Sequence, residues 1–196
     1  MFERTTGHRH RRRAGLLGLL AVALVGGSLS AGALSLALFT STTASSGNAF
    51  TAGTVVIGVA PATAAITAAN MMPGDTVNGS LTVSNTGTAQ LRYAMTSAST
   101  NADSKALRDQ LQLTVKTAGT SCAAFDGTSL YGGALSAAAF GSVTAGQSAG
   151  DRTLDAGANE ILCFRATLPI ATGNTFQGAT TTATFTFDAE QTANNP

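Results

Sequence analysis

The feature that most constrains the fold is an alternation of apolar and polar residues with a period of two, which recurs from residue 53 onward. This period places the apolar side chains on one face of a strand. Strands with one buried face are typical of antiparallel sheets packed face to face, so the sequence predicts an all-β, antiparallel β-sandwich over residues 53–196. The apolar positions of the five clearest runs are Val77, Leu81 and Val83; Leu91, Tyr93 and Met95; Leu111, Leu113 and Val115; Leu162, Phe164, Ala166 and Leu168; and Ala183, Phe185 and Phe187.

Turn-forming residues separate these runs, as in MMPGD at residues 71–75 and SNTG at residues 84–87. One short helix is predicted in DSKALRDQL, residues 103–111, with Asp103 or Ser104 as its N-cap. Both a jelly-roll and an immunoglobulin-like strand order fit the pattern.

Residues 1–37 have the three parts of an export signal. A basic stretch at residues 9–13 precedes the apolar run at residues 14–25, and small residues follow. Small residues at positions −3 and −1 mark signal-peptidase sites, so Ser35 and Ala37 predict cleavage between Ala37 and Leu38. The chain is then expected to cross the membrane only during export.

Two alternatives to this cleavage stay open. Ala31 and Ala33 form a second small-residue pair. Residues 14–39 are also long enough to remain uncleaved as a membrane anchor, although five glycines and three serines interrupt them.

The charges are segregated along the chain. Five of the 11 basic residues lie in the first thirteen positions together with one of the 10 acidic residues, which leaves six basic and nine acidic residues and a net charge of −3 beyond them. Binding to nucleic-acid phosphates needs a basic patch, so nucleic acid is excluded as a partner.

The two cysteines predict a disulfide between Cys122 and Cys163, because an even count in an exported chain favours pairing. The bond would join the loop after the 111–115 run to the outer face of the 160–168 run. Closing a loop of roughly 40 residues stabilises a fold by about 4 kcal/mol in the chain-entropy model. The alternative is two buried thiols in a chain that is not exported.

Candidate catalytic and metal-binding groups are sparse. Both histidines, His8 and His10, lie within the predicted signal, so the exported chain lacks the Ser-His-Asp, Cys-His and HExxH arrangements. The carboxylates show no DxDxDG calcium loop, so surface solvation is their expected role rather than a calcium site or a glycosidase pair. The sequence therefore predicts no catalytic residue, no metal ligand and no cofactor.

Three stretches carry a family resemblance: GNAFTAGTVVIG at residues 47–58, MMPGDTVNGSLTVSNTG at residues 71–87, and NTFQGATTTATFTFDAEQT at residues 174–192. In this order they resemble the TasA/camelysin family, whose members Gram-positive bacteria export through a dedicated signal peptidase, SipW. The stretch GGSLSAGALSLALF at residues 26–39 is similar to the SipW cleavage region.

The resemblance implies a secreted, surface-associated jelly-roll sandwich, processed by a SipW-type peptidase and, as in TasA, assembled into fibres of the extracellular biofilm matrix. It also implies a second possibility, because camelysin is classed as a metalloendopeptidase. A third possibility is a monomeric surface adhesin or inhibitor that displays its loops at residues 119–157.

The sequence gives a specific hypothesis for assembly. Residues 38–52, named the arm here, are rich in Ser, Thr and Gly and run into a segment that suits a strand. A terminus freed by proteolysis can add to the open sheet edge of a second copy. The residues predicted to carry this contact are Phe39, Phe50, Val55, Ile57 and Val59. The alternative is that residues 53–59 pair within their own sandwich.

Overall fold

A computed structural model describes residues 47–195 of the chain and places nine strands in them. The strands are β1 (Ile57–Ala60), β2 (Thr76–Asn85), β3 (Leu91–Ser99), β4 (Gln112–Thr117), β5 (Ser129–Ala134), β6 (Ala139–Phe140), β7 (Arg152–Leu154), β8 (Asn159–Thr167) and β9 (Ala183–Gln191). Each of the five alternating runs coincides with one of them, and the predicted antiparallel sandwich is confirmed.

The strands form two antiparallel sheets. The first sheet has the order β1-β2-β8-β4-β5. In the second sheet β3 is central, and its first residues, Leu91 to Tyr93, pair with both β7 and β9. These two partners therefore lie on opposite sides of β3, and β6 continues the β7 side.

The core lies between the sheets and consists of the inward residues that the alternation predicts. Val83, Leu162 and Phe164 of the first sheet and Leu91 and Met95 of the second are completely enclosed. Burying an aliphatic or aromatic side chain stabilises a fold by about 2 kcal/mol, so this layer is the main source of stability.

The predicted helix is much shorter than expected. Within the predicted range only α1 (Leu107–Gln110) is helical, and the residue before it, Ala106, has a left-handed backbone with φ of 54°. Two 3-10 helices, Leu135–Ala137 and Asn174–Phe176, lie elsewhere in the described residues. The predicted cap is used elsewhere: the Asp103 carboxylate accepts the backbone N–H groups of Lys105 and Thr180. Because Asp103 stabilises a turn and a neighbouring loop, the helix starts one turn later than predicted.

The described residues from Thr51 onward form one compact unit, the body. Residues 47–50 precede it; they are exposed and belong to no helix or strand. The predicted signal at residues 1–37, the cleavage pair Ala37 and Leu38, and Phe39 of the arm lie outside the described residues. Within residues 47–195, the structure contains no helix with the length and apolarity to span a membrane.

Candidate functional site

Among residues 47–195, β9 has the longest strand edge without a strand partner. β9 has nine residues and pairs with β3 along its whole length. On its other side it pairs with no strand of residues 47–195. The terminal strands of the first sheet are shorter, at four residues in β1 and six in β5. A row of unpaired N–H and C=O groups can pair with another chain.

The core is incomplete beside this edge. Phe185 and Phe187 point inward from β9, and the rings of Phe164 and Phe185 are 5.1 Å apart. Phe164 is completely enclosed, whereas Phe185 and Phe187 are only half-buried. Partly exposed inward phenylalanines along an unpaired edge offer apolar surface beside backbone hydrogen-bonding groups, and this edge of β9 with the two rings beneath it is named the groove here.

The chain before β1 is fixed at one position, here named the arm root, which comprises Thr54, Val55 and Val56. The carbonyl oxygen of Thr54 accepts the N–H groups of Thr88 (3.0 Å) and Ala89 (3.1 Å), and that of Val56 accepts the N–H of Thr86 (2.9 Å). These hydrogen bonds hold the arm root against the loop between β2 and β3, and the arm lies ahead of the root in the chain.

The structure separates the residues predicted to carry assembly. Ile57 and Val59 belong to β1, which pairs with β2 of the same sheet, so the alternative of own-sheet pairing holds for them. Val55 lies in the arm root and is 37% exposed. Phe50 lies in the described part of the arm and is 96% exposed.

Cys122 and Cys163 form a disulfide with their Cα atoms 5.1 Å apart. Cys163 faces away from the core between Leu162 and Phe164, and the loop that carries Cys122 covers it. Phe125 of this loop lies over the sheet, with the guanidinium carbon of Arg165 3.8 Å from its ring centre. The disulfide and this cation–π contact together hold the loop against the outer face of the first sheet.

A polar cluster joins the two sheets at the end of the sandwich where β8 begins. The Tyr93 hydroxyl donates a 2.6 Å hydrogen bond to Glu160, and the Arg152 guanidinium donates to both oxygens of the same carboxylate. Burial, followed by the contact with Glu160, raises the pKa of the Tyr93 hydroxyl far above its ordinary value. A tyrosine with such a pKa stays neutral and does not act as a base near neutral pH, so the cluster is a structural tie.

The outer face of the second sheet carries a cavity of about 240 Å³ above Arg92. Arg92 donates a 2.6 Å hydrogen bond to Glu190, which also accepts the N–H of Gly146. The pKa of the Glu190 carboxyl is lowered, mainly by the hydrogen bond from Arg92. Asp151, also in the lining, accepts the N–H groups of Ser142 and Ser148. These groups satisfy one another, and the cavity contains no nucleophile activated by a base.

The donor groups of the described chain do not fit a zinc peptidase centre. Residues 47–195 contain no histidine, and both cysteines are in the disulfide. No three carboxylates or other donors lie close enough together in this part of the chain to hold a metal ion. Catalytic zinc needs three protein ligands that converge on one position.

Two features of the site were not predicted. The alternation identified β9 as a strand but gave no information on which strands lie at a sheet edge. The sequence predicts a turn residue at Asn85, yet Asn85 is 1% exposed and joins three segments through its side chain. A polar residue at the end of an alternating run is the only signal in the sequence, and it does not distinguish a turn residue from a buried connector.

One family of known proteins matches the sequence. Its description is camelysin metallo-endopeptidase, and the match covers residues 14–114, which is more than half of the 196 residues. No curated protein matches the chain.

Proposed function

The chain belongs to the camelysin metallo-endopeptidase family, and on this premise we propose that it is an exported structural protein that polymerises through its N-terminal arm. The observation that carries the proposal is the nine-residue unpaired edge of β9 with half-buried phenylalanines beneath it. The partner of this edge is the arm of a second copy.

The geometry of the arm root supports a head-to-tail contact. The arm leaves the sandwich beside Thr88, at the end where β9 finishes, since Leu91 pairs with Gln191. It can enter the groove of a second copy at the opposite end, where Ala183 begins β9. In this arrangement the arm runs antiparallel to β9, and antiparallel pairing is slightly more stable per residue than parallel pairing.

The length and composition of the arm suit this role. β9 spans about 30 Å at about 3.4 Å per residue, and residues 38–52 exceed it in number. Phe50 is an exposed apolar anchor near the root of the arm. Because each copy donates one arm and accepts another, the contact does not close on itself and a filament grows.

Cleavage by a SipW-type signal peptidase during export would control polymerisation. Cleavage after Ala37 frees the arm, and before cleavage the arm is continuous with the signal. The protein would therefore assemble outside the cell, at its surface or in a biofilm matrix.

A synthetic peptide of residues 38–52 tests the contact. If the groove of one copy binds the arm of the next, the peptide occupies free grooves and shortens or abolishes filaments of the exported protein in electron micrographs. A peptide with the same residues in scrambled order is the control. Filaments that are equally long with both peptides would contradict the proposal.

The second candidate is peptidase activity, which the description of the family favours. The donor groups of residues 47–195 argue against it, because they provide no set of three converging ligands. Chelator-sensitive cleavage of casein that persists through purification of the exported protein would establish the peptidase.

A further inference from the structure

Residues 61–71, named the strap here, connect β1 to the turn before β2 and form no regular structure. Within residues 47–195, no hydrogen bond joins any residue of the strap to another residue. Three of its side chains, Ala65, Ile66 and Met71, are partly buried, and its other residues are exposed. The strap is therefore held by a few apolar contacts alone.

The strap enters the core beside Gly79 of β2. A Cβ atom at this position would lie 2.0 Å from the carbonyl oxygen of Ala65 and 2.8 Å from Cγ1 of Ile66. Gly79 pairs with Phe164, whose ring contacts Phe185. Ile66 therefore enters the core beside the Gly79–Phe164 pair, and the Phe164 ring links this position to Phe185 of β9.

The first sheet is also unpaired next to the strap. β1 pairs only with Thr82 to Asn85, so among the described residues the first half of β2 has a strand partner on the β8 side alone. A segment that covers such an edge without bonding to it opens at a low free-energy cost, because few contacts are lost.

We propose that the strap is a displaceable plug, which fills the groove of a free subunit and leaves it when the arm of a second copy adds. This inference rests on the proposed function, which supplies the arm of a second copy as the partner. It adds a step that controls when that arm can enter the groove. The strap contributes apolar side chains only. An incoming strand contributes apolar side chains and also satisfies the backbone groups of the sheet edge, so the exchange favours assembly.

Two substitutions test the plug through the rate of assembly. Ile66→Ser removes its main apolar anchor, and Gly79→Ala displaces the strap by steric overlap with Ala65. Both variants should shorten the lag before filaments appear, by about fivefold for Ile66→Ser, which loses part of the burial of one isoleucine. Ile170→Ser is the matched control, since Ile170 is 81% exposed and lies outside the strap.

Limited proteolysis with elastase, which cleaves accessible chains after small apolar residues, gives a readout that does not depend on the rate of assembly. Elastase should cut residues 61–71 faster in filaments than in free subunits. Filaments in which the strap is cut no faster than in free subunits, or folded variants that assemble no faster than wild type, would overturn the plug while leaving polymerisation intact.

If the wild-type protein forms no filaments, the proposed function fails, and the plug is tested on free subunits with the peptide of residues 38–52. Faster cleavage of the strap with this peptide than with its scrambled control supports displacement. Equal cleavage with the two peptides rejects it.

Discussion

Asn85 has the largest role in the fold of any single polar side chain described above. Its Nδ2 donates to the carbonyl oxygens of Ala89, Leu154 and Asp155, and its Oδ1 accepts the N–H of Gly87. The side chain thus joins the end of β2 to the loop that holds the arm root and to the end of β7. A buried carbonyl group that loses its hydrogen-bond donor lowers the free energy of unfolding.

We predict that Asn85→Ala lowers the free energy of unfolding by about 3 kcal/mol, since it leaves several buried groups without partners. Asn78→Ala is the matched control, because Asn78 lies in the same strand and makes one exposed hydrogen bond to Arg165. Its expected effect is below about 1 kcal/mol. Urea denaturation of the two variants checks the difference, and equal losses would show that the Asn85 contacts contribute little.

At the level of single residues, the sequence predicted side-chain direction far better than side-chain role. Leu162 and Phe164 face the core and Cys163 faces away from it, as the alternation predicts. The roles of Gly79 and Asn85 depend on segments distant in sequence, the strap and β7, and local pattern contains no information about such contacts.

Among the elements, the loop tethered by Cys122 and Cys163 is the one whose attachment depends on a covalent bond. The two cysteines are 41 positions apart. The hydrogen bond from Lys116 to the Phe125 carbonyl oxygen and the cation–π contacts are the other attachments of its central part. Without the disulfide, the outer face of β8 at position 163 loses its cover.

We predict that replacing both cysteines with alanine lowers the free energy of unfolding by about 4 kcal/mol, from the loop-closure entropy of the unfolded chain. Thermal or urea denaturation of the oxidised protein, with the double variant as comparison, measures this difference. Thiol titration of the unfolded, unreduced protein should find no free thiol, and two free thiols would refute the prediction.

The sequence predicted strands well and the helix poorly, for a physical reason. Alternation acts over a whole strand and reflects burial on one face, so the five runs became β2, β3, β4, β8 and β9. The helix depended on a single cap, and the Asp103 side chain instead accepts N–H groups from two other residues. The short strands β5, β6 and β7 lie among glycine- and alanine-rich residues with no clear alternation.

For the whole molecule, the decisive property is that one sheet lacks a strand beside β9. This property belongs to the tertiary arrangement, because β9 pairs with β3 on one side and with no strand of residues 47–195 on the other. The sequence suggested an arm that could add to an open edge, and it did not identify the edge. The structure in turn limits the length of chain that a subunit can donate, because Ile57 and Val59 of β1 already pair with β2 of their own sheet.

Deleting residues 38–52 from the exported protein tests whether the arm of one copy completes the sheet of the next. A Phe50→Ser variant that retains the full arm is a graded comparison, and Met72→Ser, at another exposed apolar position, is its matched control. Electron microscopy and sedimentation then measure polymer length. We expect the deletion variant to fold with an unchanged circular dichroism spectrum and to stay monomeric, while the Met72→Ser protein polymerises like wild type. A folded deletion variant that polymerises as well as the full exported chain would contradict this expectation.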